Sequence, residues 1–138
     1  MQLRKNAKIE LIKGVPLFSS CSKKELEAIA AQADQLTVPK GKALTKEGQR
    51  GREFMVIVDG AAEVRKDGRR LNLLGSGDFL GEIALISGGP RTATVTTTSE
   101  ANLLVLTDRA FTDLTKKMPS IQASVLKALS ERLEADAL

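Results

Sequence analysis

The sequence predicts a mainly β fold with flanking helices (α+β), in the form of a jelly-roll-like β-roll of about eight strands. From residue 35 the apolar spacing changes from helical to alternating, and it stays alternating for about seventy residues, which is typical of strands. Glycines divide this stretch into short segments of even spacing, and such segments favour a closed roll over a flat sheet. Helical apolar spacing is found on both sides of it.

Two helical segments precede the β region. Residues 6–13 have apolar positions at helical spacing, and the Gly-Val-Pro sequence at 14–16 ends this segment. Ser22 is a good N-cap for a second helix over 23–33, because Glu25 stands three residues later in a capping-box pattern. The buried stripe of the second helix is predicted to be Leu26, Ile29 and Ala30.

Turn signals divide the β region. Asp67-Gly68 stands between two runs of polar and apolar residues, which is a hairpin signal and predicts strands over 62–66 and 69–74. Pro39 cannot donate a ladder hydrogen bond, so the first strand ends there or lies at a sheet edge. A mostly buried strand over 101–107 ends the β region.

Two helices are predicted after the last strand. The first covers 109–118, and Pro119 forces a break before the next. The final helix, over 121–133, has a broad apolar face that must cover something. This face is predicted to consist of Ile121, Val125, Leu126, Leu129 and Leu133.

Length and composition limit the possible functions. The 138 residues suit one domain, with N-terminal helices over 1–33, the β-roll over 34–107 and C-terminal helices over 108–138. Cys21 is the only cysteine, which excludes a disulfide framework or a cysteine metal site within one chain. The net charge of +4 permits weak attraction to anions, but without tyrosine or tryptophan to stack on bases we expect no direct nucleic-acid binding. No apolar run approaches a membrane span and no signal peptide is evident, so we expect a cytoplasmic protein without membrane insertion.

Residues 79–95, FLGEIALISGGPRTATV, hold an acid, a base and a backbone suited to an anion. Gly81 removes side-chain bulk before Glu82, and residues 82–86 have the length and composition of a short helical turn. Amides at a helix start lack helical partners and, with the local dipole, can bind a phosphate-sized anion. Here these amides would belong to Ile83, Ala84 and Leu85.

After the glycines the chain resumes as a β-branched stretch that is predicted to be a strand beginning at Arg91. A guanidinium there can direct two donors onto phosphate oxygens, although an ion pair with Glu82 in an empty site is the alternative. Glu82 accepts hydrogen bonds only, so ribose hydroxyls are its natural ligand partners, and Ala93 is small enough to let a ligand approach. Strand alternation places Arg91 and Thr92 on opposite faces, so both contact a ligand only if the strand start is irregular.

FLGEIAL followed by PRTATV resembles the phosphate-binding cassette of the cyclic nucleotide-binding domain family. That family includes catabolite activator proteins, regulatory subunits of cyclic nucleotide-dependent kinases and cytoplasmic domains of cyclic nucleotide-gated channels. The signature is Gly-Glu-aliphatic-Ala-Leu and, about six residues later, Arg-(Ser/Thr/Ala)-Ala, which is far more specific than a lone glycine motif. Pro16-Leu17-Phe18, Gly60, Gly77 and the helix after Pro119 also fall where the family would place them, so the resemblance implies a single domain over 1–138.

The resemblance also implies a ligand site. Gly81, Glu82 and Ala84 would contact ribose and phosphate, and Arg91 the exocyclic phosphate oxygens. Thr92 and Ala93 would contact the phosphate or the base edge. The full predicted ligand-binding set is Leu80, Gly81, Glu82, Ile83, Ala84, Arg91, Thr92, Ala93, Val64 and Leu74, the last two lining the base pocket. No catalytic residue, metal ligand or resident cofactor is predicted.

The predicted function is a regulatory sensor that binds a cyclic nucleotide and changes its helix packing, because the family's C-terminal helix folds over the bound base. Without histidine or a nucleophile-base pair, the chain is not expected to be an enzyme. Cyclic AMP (cAMP) is favoured over cyclic GMP (cGMP) because no second guanine-reading group is evident, although the Thr92 hydroxyl could meet a guanine amino group. Alternatives are a ligand-free β-roll for protein interaction, or the sensor fragment of a longer transcription factor, channel or enzyme. An effector domain or protein partner and a homodimer through the C-terminal helix are implied by the family alone.

Overall fold

The computed structural model describes residues 4–85 and 89–137, and of residues 83, 84 and 132–137 it describes only the main chain. The chain divides into two compact units, Met1–Gln32 with Arg109–Leu138, and Ala33–Asp108. The described residues contain four helices and eight strands, and the strands form two antiparallel sheets. The predicted α+β fold class is therefore confirmed.

Among its described residues, the helical unit contains four α-helices and one 3-10 turn. The predicted stops at 14–16 and near Pro119 separate consecutive helices. None of the described helices is both long and apolar enough to span a bilayer. The helices are α1 (Lys5–Lys13), α2 (Lys23–Gln32), α3 (Asp108–Lys117) and α4 (Pro119–Ala137), with a 3-10 turn at Pro16–Phe18.

The start of α2 is the predicted capping box. The Glu25 amide donates to Ser22 Oγ at 3.2 Å, and the Ser22 amide donates to Glu25 Oε1 at 2.7 Å. The Glu25 side chain is buried, and Ser124 Oγ of α4 donates to its two carboxylate oxygens at 2.9 and 3.2 Å. The same carboxylate therefore caps α2 and ties it to α4.

The predicted apolar face of α4 is partly wrong. Ile121, Val125 and Ala128 are buried, whereas the Leu126 side chain is 56% exposed. Positions separated by four and seven residues lie on one side of a helix, and this stripe leaves Leu126 on the opposite side. Leu129 is half-buried, and the side chain of Leu133 lies outside the described residues. The helix begins at Pro119 itself, because the first helical position needs no amide donor.

The β unit consists of two four-stranded sheets, with strand orders β1-β8-β3-β6 and β2-β7-β4-β5. Buried apolar side chains from both sheets, among them Ile57, Ala62 and Leu103, form one core cluster. The strands are β1 (Asp34–Val38), β2 (Ala43–Thr45), β3 (Glu53–Asp59), β4 (Ala62–Lys66), β5 (Arg69–Leu74), β6 (Phe79–Leu80), β7 (Thr94–Thr97) and β8 (Ala101–Thr107).

The hairpin of β4 and β5 confirms the bounds predicted from its turn. Lys66 pairs with Arg69 across the turn, and Ala62 pairs with Leu74 at the far end. The two central residues, Asp67 and Gly68, have φ of 53° and 77°. Positive φ at both positions is what a two-residue type I′ turn requires, which is why Asp-Gly predicts it.

Candidate functional site

A cavity of about 410 Å³ lies against the sheet β2-β7-β4-β5. Thr45, Val95 and Val64 are neighbours in register on three adjacent strands of this sheet, and all three line the cavity. Two segments outside the sheet complete the lining, namely the end of β6 with its following turn and the chain before β7. The lining residues are Thr45, Val64, Leu74, Phe79, Leu80, Gly81, Glu82, Gly89, Pro90, Arg91, Thr92, Ala93 and Val95.

The structure brings most of the predicted ligand-binding residues together in this cavity. The members that line it are Leu80, Gly81, Glu82, Arg91, Thr92, Ala93, Val64 and Leu74. Ile83 and Ala84 belong to the turn after β6 by their main chain, and their side chains lie outside the described residues. That these residues bind a ligand stays a prediction.

Glu82 is placed by a short turn at the end of β6. The predicted helical turn over 82–86 is a 3-10 turn at Glu82–Leu85, and residue 86 lies outside the described residues. Gly81 enters the turn with φ of 80°, a conformation that glycine adopts without steric cost. The Glu82 side chain lies in the cavity wall and is only 5% exposed.

Arg91 lies before the strand that it was predicted to begin. The strand β7 starts at Thr94, whose partner on β4 is Arg65. The Arg91 amide donates to the Gln49 carbonyl at 2.8 Å, and the Arg91 carbonyl accepts from the Gly48 amide at 2.8 Å. These bonds keep residue 91 out of the sheet ladder, so alternation does not apply and both Arg91 and Thr92 line the cavity.

The Arg91 guanidinium is half-buried and is held by a main-chain carbonyl group. Its Nη2 donates to the Glu53 carbonyl oxygen at 2.6 Å. Burial lowers the pKa of Arg91, while the nearby Glu53 carboxylate acts in the opposite direction. Arginine remains protonated near neutral pH despite such a shift, so the cavity contains a fixed positive charge.

Two glycines provide the space for this guanidinium. A Cβ atom on Gly51 would overlap Nε and Cζ of Arg91, and a Cβ atom on Gly81 would overlap Nη1. The Gly81 Cβ would also come within 2.5 Å of the Glu53 carbonyl oxygen. The flat guanidinium therefore occupies a slot, which we call the arginine slot, whose two walls are Gly51 and Gly81.

Sequence reasoning missed several residues of the site. Gly51 was interpreted only as a turn residue, and nothing in the neighbouring sequence indicates contact with Arg91, forty positions later. Thr45 was missed as well, although its buried hydroxyl donates to the Ala93 carbonyl at 3.0 Å and accepts from the Val95 amide at 3.2 Å. These contacts form between segments that only the sheet register brings together.

The cavity can bind a ligand with an anionic end, hydroxyl groups and an apolar body. The guanidinium can direct paired donors at an oxyanion, and an ionised carboxylate accepts from hydroxyls. Valine and leucine side chains supply the apolar wall. Among the residues whose side chains the structure describes, no group of three histidine, cysteine, aspartate or glutamate side chains is gathered as a metal ion requires.

Comparison with known proteins gives consistent matches. Residues 35–118 match the family model described as the cyclic nucleotide-binding domain. A cyclic nucleotide-gated potassium channel of Rhizobium etli is 35% identical over 123 residues, which cover 89% of this chain and 34% of the channel. A cAMP-dependent protein kinase regulatory subunit of Mycosarcoma maydis is 40% identical over 109 residues, covering 72% of this chain and 21% of that subunit. The chain thus spans between 21% and 34% of the length of these two relatives.

Solved structures share the fold. The N-terminal domain of a transcriptional regulator from Streptomyces coelicolor A3(2) matches with a TM-score of 0.83 and 27% identity, covering 91% of this chain and 94% of that chain. A cyclic nucleotide-binding domain from Methylobacillus flagellatus matches with a TM-score of 0.78 and 26% identity, covering 96% of this chain and 77% of that chain.

Proposed function

Because the chain belongs to the cyclic nucleotide-binding domain family, we propose that it binds a cyclic nucleoside monophosphate and works as a regulatory sensor module. The observation that carries this proposal is that Arg91 and Glu82 line the same cavity, with the Glu82 carboxylate buried and the Arg91 guanidinium held by the Glu53 carbonyl group. The name of the related kinase regulatory subunit favours cAMP as the ligand. The Thr92 hydroxyl, which lines the same cavity, is the feature that favours cGMP as the alternative.

Each polar group has one task in the proposed complex. Arg91 donates to the exocyclic phosphate oxygens, and its partial burial strengthens this contact because less water screens the charges. Glu82 accepts from the ribose hydroxyl. The apolar wall that contains Val64 and Leu74 covers the base, and Ala93 lets the phosphate approach the main chain.

Calorimetric titration with cAMP and with cGMP tests the proposal. Arg91→Ala should weaken binding by about 2–5 kcal/mol, or roughly 30-fold to several thousand-fold, because it removes the partner of a partly desolvated phosphate. Arg91→Lys keeps the charge without the paired donors, so its loss should be intermediate. Arg70→Ala on β5 is the matched control, since it removes an exposed arginine that does not line the cavity.

Two results would contradict the proposal. If Arg91→Ala bound as tightly as the parent chain, the phosphate would lie elsewhere. If neither nucleotide gave heat with the parent chain, the ligand-free β-roll for protein contact would replace the sensor. Thermal unfolding of each variant separates a loss of binding from a loss of fold.

The sensor proposal extends to the rest of the protein. We infer that residues 1–138 work as one domain, in which the β unit binds the nucleotide and the helices repack in response. The lengths of the related channel and kinase subunit support an effector domain beyond this chain. The exposed Leu126 on α4 supports a homodimer through the C-terminal helix. The proposal includes a cytoplasmic location, no catalysis of its own, no resident cofactor, and neither direct nucleic-acid binding nor membrane insertion.

A further inference from the structure

A second cavity, of about 320 Å³, is lined by β2, by the chain between β2 and β3, and by Arg91. Arg91 and Thr45 line both cavities, so the arginine slot separates them. The proposed nucleotide function makes no use of this second cavity. Its polar lining consists of Thr45, Lys46, Gln49, Arg50, Arg52, Glu53 and Arg91.

The charge in this second cavity is strongly unbalanced. Four cations (Lys46, Arg50, Arg52 and Arg91) face one carboxylate, that of Glu53, so the ionisable lining carries four minus one, or +3. Within the described part of the chain, Lys46, Arg50 and Arg52 form no ion pair with a carboxylate. Clustered like charges repel one another, and a concave surface concentrates their field. The cavity is therefore suited to attract an anion of more than one charge.

We propose that the second cavity is a binding site for a multiply charged phosphate group, such as pyrophosphate or a phosphomonoester. Arg50 and Arg52 are exposed and project from the segment before β3, where each can direct paired donors at phosphate oxygens. A cyclic phosphate has one negative charge and needs one guanidinium, whereas this site offers several cations. The site does not depend on nucleotide binding, although it shares one residue with the proposed nucleotide cavity.

The shared arginine couples the two sites. A guanidinium has five N–H donors, and in Arg91 one nitrogen, Nη2, already donates to the Glu53 carbonyl. Anions on both sides of Arg91 would compete for its remaining donors and repel each other. Occupation of either site should therefore weaken binding at the other, and by the same factor in both directions.

The test is titration of the chain with sodium pyrophosphate at constant ionic strength, without nucleotide and at saturating cAMP. The double variant Arg50→Ala/Arg52→Ala should lose at least about tenfold in pyrophosphate affinity, since two charge-assisted contacts are removed. The main-chain bridge between residues 50 and 90 does not need the Arg50 side chain, so the fold should persist, as thermal unfolding will check. The matched control is Arg69→Ala/Arg70→Ala, which removes the same charge from exposed positions on β5 and should change the affinity less than about twofold.

Two outcomes would overturn the proposal. One is an equal loss in both double variants, which would indicate general charge attraction. The other is that cAMP displaces pyrophosphate completely while Arg50→Ala/Arg52→Ala leaves the pyrophosphate affinity unchanged. That result would place the anion in the nucleotide cavity. If the chain binds no nucleotide, the titration without cAMP still tests the second site by itself.

A vesicle experiment identifies the source of the phosphate group. Vesicles containing phosphatidic acid are compared with vesicles of phosphatidylcholine alone. If the parent chain cosediments with the phosphatidic acid vesicles and Arg50→Ala/Arg52→Ala does not, the site is supported and its ligand is a lipid headgroup. Pyrophosphate binding without cosedimentation supports the site and assigns a free anion. If the chain neither binds pyrophosphate nor cosediments with the vesicles, the proposal is contradicted.

Discussion

Gly51→Ala offers the sharpest separation of ligand binding from folding, because Gly51 is a wall of the arginine slot. The added Cβ would overlap Nε and Cζ of the Arg91 side chain. The overlapped atoms belong to the end of a flexible side chain, so the guanidinium can move away while the main chain stays in place. Unlike Gly81, Gly51 does not have the positive φ that disfavours alanine.

The expected effects on affinity and stability differ in size. A displaced guanidinium would lose the proposed phosphate contact, which should cost about 2 kcal/mol, or roughly 30-fold in cAMP affinity. The free energy of unfolding should change by less than about 1 kcal/mol, because the loss of the Arg91 hydrogen bond to Glu53 is offset by reduced freedom of the unfolded chain.

Calorimetry with cAMP and urea unfolding of the same samples measure the two quantities. Gly75→Ala is the control, since a Cβ there meets nothing within 4 Å. Gly81→Ala should lose both affinity and stability, because its φ is 80° and its Cβ would crowd the Glu53 carbonyl. If Gly51→Ala bound cAMP as tightly as the parent chain, the idea that the arginine slot positions Arg91 to donate hydrogen bonds to the phosphate would be refuted.

Glu25 and Cys21 give two further predictions. Glu25→Ala should lower the free energy of unfolding by about 1–3 kcal/mol in urea unfolding, since it removes the capping box and the Ser124 contact. The control Glu27→Gln, which removes a partly exposed ion pair with Lys5, should cost less than about 1 kcal/mol. Burial raises the pKa of Glu25, but hydrogen bonds from Ser22, Ser124 and Ser120 outweigh it and leave the pKa below its ordinary value of 4.5. A carboxylate whose pKa is lowered in the folded state stabilises the fold above pH 4.5. The difference in the free energy of unfolding between the parent and Glu25→Gln should therefore be constant above that pH and shrink at lower pH. A difference that grows on acidification would be inconsistent with this hydrogen-bond network. Partial burial, with a contribution from the Glu25 charge, raises the pKa of Cys21 to about 11. Iodoacetamide at pH 8 should therefore alkylate the folded chain about a hundredfold more slowly than the unfolded chain, and equal rates would contradict the raised pKa.

Local signals predicted local structure well. Asp67-Gly68 predicted its hairpin because few residues other than these tolerate two consecutive positive φ angles. Ser22 and Glu25 predicted the start of α2 because the capping box is complete within four residues of sequence. The cassette residues lay close in sequence, so their gathering around one cavity could also be expected from the sequence.

Features that depend on distant segments could not be predicted. The apolar residues of α4 surround more than one side of the helix, so periodicity alone did not separate the exposed Leu126 from the buried Val125. The late start of β7 follows from hydrogen bonds between Arg91 and the chain at residues 48 and 49, which alternation does not report. Gly51 illustrates the same limit, since its importance lies in an arginine that approaches it only after folding.

The main chain at residue 91 is fixed by hydrogen bonds that involve none of its side-chain atoms. The side chain at position 91 can therefore be changed without removing the hydrogen bonds that place its main chain. A biosensor engineer could exchange the proposed recognition group, the Arg91 guanidinium, for example for an amide that suits uncharged ligands, and leave the surrounding loop unaltered. The range of ligands could then change through one substitution, without rebuilding the scaffold.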